Sequence, residues 1–89
     1  MDFEWNPNKA NDNEQKHGVT FFEACEVFDD DYSSSAPDSD HSLVEYRYLI
    51  FGMSKGGKYL VVSYTERSER IRLISAREMT PHERQAYEQ

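Results

Sequence analysis

Two kinds of residue in this chain have the chemistry to act on a phosphodiester: His17, ahead of Gly18, and the arginines Arg47, Arg67, Arg72 and Arg77 of the second half. An imidazole titrates near neutrality and can give or take a proton. The planar guanidinium fork matches the oxygens of a phosphate better than an ammonium does. Such groups would suit proton removal from an attacking hydroxyl, stabilisation of charge on phosphorus and help for the leaving oxygen. Lys16 adds a cation beside His17, and Glu45 or Glu66 can act as a carboxylate base or hold an arginine in place. Tyr48 and Tyr64 offer aromatic faces of the kind on which unpaired bases stack. Each residue also has a plainer role. His17 can simply cap its helix and pack on Trp5, the arginines can pair with Glu45, Glu66, Glu69 or Glu78, and both tyrosines fall in strand runs.

Other constellations are poor. Asp29, Asp30 and Asp31 with Asp38, Asp40 and His41 supply hard ligands, but they lack the spacing and the glycine of a calcium loop and read as a solvated segment. Gly56 and Gly57 make a turn, and no nucleophilic triad or P-loop signature is present. Cys25, the one cysteine, can form neither an internal disulfide nor a thiolate zinc site; among Phe22, Ala24 and Val27 it reads as a small buried hydrophobe. No metal and no organic cofactor is expected.

The elements that must position these residues follow from caps and periodicity. Asn6 and Pro7 read as an N-cap and first helical residue, and Gly18 as a left-handed C-terminal residue, which predicts a helix over Pro7 to His17. Only Ala10 in it is apolar, so the helix must be held by its ends and by Trp5. Thr20 and Glu23 form a capping box ahead of Phe21, Ala24, Cys25 and Phe28 at helical spacing, predicting a second helix from Phe21 to Phe28. Residues 29–42, rich in aspartate and serine, read as an acidic mobile loop. Glu45 to Met53 and Lys58 to Thr65 then form strands about the Gly56, Gly57 turn, and a turn near Glu66 to Glu69 leads to a third strand over Arg70 to Ala76. Strict alternation puts Ile71, Leu73 and Ser75 on one face of that strand and Arg70, Arg72 and Ile74 on the other. Thr80, Pro81 and Glu83 begin a last helix. The expected fold is one α+β domain spanning residues 1–89: two N-terminal helices, a central antiparallel meander and a C-terminal helix.

Charge is divided along the chain. The net charge of -7 hides a first half, Met1 to Glu45, with 2 Lys/Arg against 12 Asp/Glu, and a second half with 8 against 5. That split permits a local cationic groove on an acidic protein, and equally an ordinary sheet beside a solvated acidic segment. A mean hydropathy of -0.90 argues against a bilayer span. The acidic start, Met1 to Trp5, is unlike a secretory signal, so the cytoplasm is the expected compartment.

Two separated blocks of the sequence are similar to a known family. Phe3, Glu4, Trp5, Asn6, Pro7, Lys9, Lys16, His17, Gly18, Val19, Phe21, Glu23, Ala24, Val27 and Phe28 form the first. Tyr64, Thr65, Glu66 and Arg67, then Ile71 to Arg77, then Glu83, Arg84 and Tyr87 form the second. Together they resemble toxins of the BrnT type, although that family's usual aspartate before the first proline is Asn6 here. The resemblance implies a RelE-like α+β fold and a metal-independent endoribonuclease that cuts RNA and inhibits translation. It also implies a BrnA-like ribbon-helix-helix antitoxin as partner, with operator DNA reached only through that antitoxin. Under this resemblance His17, Arg67, Glu45 and Arg47 are the expected catalytic residues, and Lys16, Arg72, Arg77 and Tyr64 the expected RNA contacts. The alternative is a domain of the same fold without catalysis that serves as a protein-interaction and operon-regulating module; a domain whose acidic loop binds a cation or a basic protein is the third class.

Overall fold

The computed structural model describes residues 1–41 and 45–89, so Ser42, where the expected acidic loop ends, lies outside the described residues. Three helices start where the caps predict. The Asn6 side chain accepts from Asn8 N at 2.8 Å and Lys9 N at 3.4 Å, opening α1 (Pro7–His17), and Gly18 at φ +69° closes it by donating to Glu14 O. Reciprocal capping boxes open α2 (Phe21–Glu26) at Thr20 and Glu23, and α3 (Pro81–Tyr87) at Thr80 and Glu83. After Glu26 the second helix tightens into a 3-10 turn over Val27–Asp29 rather than continuing as α-helix through Phe28.

The sheet has five strands in the order β1-β5-β4-β3-β2. Its centre is the antiparallel meander of β3 (Tyr48–Met53), β4 (Tyr59–Arg67) and β5 (Arg70–Glu78). Two outer strands make it broader and mixed. β1 (Asp2–Glu4) runs parallel to β5, and β2 (Ser34–Pro37) pairs antiparallel with β3. β2 corrects the reading of residues 29–42 as loop throughout. All four of its residues are exposed, so the segment carries no hydrophobic alternation, and backbone pairing to β3 is what makes it a strand. Asp30 anchors the way in, accepting from Tyr32 N at 3.0 Å and Met53 N at 2.8 Å and from the Tyr87 hydroxyl of α3.

The core lies on one face of the sheet, where Leu60, Val62 and Tyr64 of β4, Ile50 of β3, and Leu73 and Ala76 of β5 meet Val19, Phe21, Ala24 and Val27. Burying each large aliphatic or aromatic side chain contributes about 1.5–3 kcal/mol. The helix poor in apolar residues is attached differently. Asn13 is buried, its amide donating to Ala76 O at 2.8 Å and Val19 O at 3.0 Å while its carbonyl accepts from Ala76 N at 3.0 Å. The side chain thus takes the place of a strand residue on the outer edge of β5, beyond the three residues that β1 covers.

Candidate functional site

A single extra residue on β5 decides which side chains share the second face of the sheet. Ser63 pairs with Ser75 and Tyr64 with Leu73, so Ile74 has no partner on β4. Strict alternation would place Ser75 with Leu73, and Arg77 would follow it into the core. The bulge shifts the phase by one residue: Ala76 turns to the core, and Arg77 joins Arg70 and Arg72 on the opposite face. Arg67, paired with Arg70 at the end of β4, extends this row, with Thr65 across from Arg72. Between Arg67 and Arg70 a two-residue turn sets Ser68 at φ +47° and Glu69 at φ +69°, the left-handed pair that matches the twist of a hairpin.

Each of three arginines on this face meets a carboxylate. Arg67 holds Glu45 with Nε at 3.3 Å and Nη2 at 3.1 and 3.2 Å, Arg72 reaches Glu4 at 2.8 Å, and Arg77 grips Glu83 at 2.7 and 3.0 Å. Of the acids anticipated as partners, Glu45 is the one that these three pairs use; Glu4 and Glu83 are distant in sequence or were read as a helix-capping residue. The Glu45 segment is tied alongside β4 by Thr65 Oγ1, which donates to Tyr46 O at 2.7 Å, and Arg47 accepts from Asp38 N through its carbonyl. Thr65 entered the sequence reading only as the end of a strand and within the family-like block, with no role assigned to it.

Tyr64 does not belong to this face. It is 7% exposed, with Phe28 edge-on at 5.0 Å and Tyr48 stacked at 5.5 Å, and its hydroxyl donates to Ser35 Oγ at 3.2 Å. With its ring packed in the core it has no open face for a base, because even positions on β4 point to the core. His17 and Lys16 are also elsewhere: with Lys9, Asp12, Asn13, Ile74 and Ser75 they line a groove of about 260 Å³ between α1 and β5. None of the paired arginines lines it. The expected convergence of His17 with Arg67 in one cleft is therefore not what the lining residues show; Asn13 docks α1 along the edge of β5, while Arg67 sits at the end of β4.

A family model described as "Ribonuclease toxin, BrnT, of type II toxin-antitoxin system" matches residues 5–83. The chain belongs to the BrnT family. The crystal structure of the ribonuclease toxin BrnT of Brucella abortus superposes with a TM-score of 0.69 at 22% identity, over 90% of this chain and 97% of that one. No curated protein matches. The likeness of fold covers the five-stranded sheet and three helices, and family membership implies an antitoxin partner.

Electrostatics in this BrnT-family chain separate structural from available groups. The Arg77 fork, aided by the Thr80 N–H, overcomes burial and holds the Glu83 carboxyl at about 2, so this pair fastens α3 to the sheet. Arg84 sits 4.0 Å over the Tyr59 ring and reinforces that attachment. Burial first, then its bond to Asp30, pushes Tyr87 up to about 12. Burial, with Glu26 and Asp29 nearby, pushes the Cys25 thiol up to about 11, which keeps it protonated and a poor nucleophile. Arg67 and Glu45 are more open, with side chains 50% and 31% exposed, and an ion pair that open exchanges partners at small cost. Among the described residues no three His, Cys, Asp or Glu side chains come together to hold a metal ion, and no helix is long and apolar enough to cross a membrane.

Proposed function

We propose that this chain is an endoribonuclease toxin that cuts RNA and thereby inhibits translation, without metal or organic cofactor, on a RelE-like fold. The observation that supports it best is the open Arg67–Glu45 pair at the end of the arginine face. A phosphate competing for Arg67 would leave Glu45 unpaired beside it, and that carboxylate then accepts the proton of the 2′-hydroxyl as its oxygen attacks phosphorus. Arg67 stabilises the charge gathering on the phosphate oxygens. The departing 5′-oxygen takes its proton from water, since a guanidinium does not release one. Arg72 and Arg47 hold neighbouring phosphates, Arg77 is chiefly a fastening for α3, and Lys16 and His17 contact RNA outside the reacting centre. The partner is a BrnA-like ribbon-helix-helix antitoxin, operator DNA is reached only through it, and the pair works in the cytoplasm.

The test is cleavage of a single-stranded RNA by the purified chain. Glu45→Gln and Arg67→Ala each lower the rate by about 100-fold or more, whereas His17→Ala stays close to the parent; a parental rate in both of the first two variants refutes the assignment. A second reading has its own support, the one-to-one matching of Arg67, Arg72 and Arg77 with carboxylates. On that reading the face is structural, and the domain binds antitoxin without cutting RNA. Undetectable cleavage by a folded chain that still binds its antitoxin selects it.

A further inference from the structure

Away from the arginine face, α1 and α2 leave a small apolar groove between them. Trp5, Pro7, Ala10 and Phe22 line it, with Asn11 and Glu14 as polar members, around about 140 Å³. Phe22 is 74% exposed although it sits on a helix whose neighbour Phe21 is wholly buried, and Trp5 stands edge-on to both rings at 5.1 and 5.8 Å. A space of this size takes roughly one benzene-sized group. A large exposed aromatic beside a preformed apolar slot is the arrangement of an interface anchor.

Charge around the slot is one-sided. The only cations of α1, Lys9 and Lys16, line the groove on the β5 side instead, and among the described residues Glu14 is the sole charged one lining the Trp5 slot. The slot also belongs to the half of the chain in which Asp and Glu outnumber Lys and Arg by 12 to 2. An occupant matched to it carries one large apolar side chain flanked by lysine or arginine.

We infer that the Trp5–Phe22 slot is a docking site for a basic segment of the antitoxin, which seats one apolar side chain in the slot against the touching Trp5 and Phe22 rings and sets its cations against Glu14. The inference uses the antitoxin partner that family membership brings and is independent of whether the chain cuts RNA. It also separates neutralising contact from the arginine face. An antitoxin held here leaves those arginines to be covered by another part of the same partner or not at all.

Trp5 is the only tryptophan in the chain and serves as the reporter. The probe is the proposed antitoxin, a BrnA-like ribbon-helix-helix protein, titrated into the purified full-length chain while Trp5 emission and affinity are followed. Binding shifts the emission, Phe22→Lys weakens affinity by about 30-fold or more, and Glu14→Lys weakens it by several-fold with a reduced salt dependence. Circular dichroism and RNA cleavage of the unbound Phe22→Lys chain match the parent, which keeps this test apart from the nuclease assignment. Parental affinity for both variants, a silent Trp5 on binding, or the absence of any binding by that probe overturns the inference.

Discussion

The two faces of the sheet are built on opposite terms, although β4 buries side chains toward both. On one face Leu60, Val62 and Tyr64 pack against α2 and the ring cluster of Phe28 and Tyr48, and little there can change without a void or a clash. On the other, Arg67, Arg70, Arg72 and Arg77 stand in a row, and Arg67, Arg72 and Arg77 are matched by carboxylates drawn from the segment before β3, from β1 and from α3. Apolar packing gives its stabilisation only when complete, whereas partly exposed ion pairs contribute little and can be exchanged. The contrast teaches where this fold keeps its stability and where it can spare groups for a ligand.

Substitutions on the packed face should cost most. Leu60→Ala, at a fully buried position, is expected to lower stability by about 2–5 kcal/mol in chemical denaturation; a loss below 1 kcal/mol would mean that the two faces are not so different. Asn13→Ala removes three buried hydrogen bonds and strands Ala76, for an expected loss of about 2–3 kcal/mol with α1 loosened in hydrogen exchange. Gly52→Ala follows, because a β-carbon there would lie 2.6 Å from Val27 Cγ1 and 3.2 Å from Asp30 Oδ2; overpacking of this kind costs about 1–3 kcal/mol.

The arginine face should respond to pH and to RNA more than to denaturant. Glu83 is held at about 2 against an ordinary 4.5, so its pairing with Arg77 stabilises fully above 4.5 and is lost as pH falls from there through about 2. Because Arg77 is 41% exposed, the effect is on the order of 1 kcal/mol. Melting curves of the parent and Glu83→Gln, compared at pH 6 and pH 2.5, should converge at the acid end; parallel acid losses would place the labile carboxylate elsewhere. Arg72→Ala is expected to change stability least, by under about 1 kcal/mol, while weakening RNA binding measurably in a filter assay. A large stability loss with unchanged RNA affinity would reverse the comparison.

Much of the frame was legible from local rules. Asn6, Thr20 and Thr80 each announce a helix start through contacts within three residues, and Gly56 with Gly57 announces the hairpin between β3 and β4. Those signals are short-range, so tertiary context had little to override. The parallel pairing of β1 with β5, and β2 as a strand, were not legible, because edge strands of three and four residues carry too short a pattern and β2 has no buried side at all. The site was legible by residue type and not by arrangement. Arg67 and Glu45 do meet, yet His17 lines another groove, Tyr64 is core, and the partners of Arg72 and Arg77 are Glu4 and Glu83.

By itself the sequence determined the helix boundaries set by caps, the three-stranded meander, the uneven charge of the two halves and the family. Only the tertiary structure decided that Arg77 faces the same way as Arg70 and Arg72, that Asn13 stands in for a strand on the edge of β5, and which acid each arginine meets. The physical reason is range. A cap or a turn is closed by bonds between residues two to four apart, while a one-residue bulge, a docked amide and an ion pair across 68 residues depend on a register that no local pattern encodes.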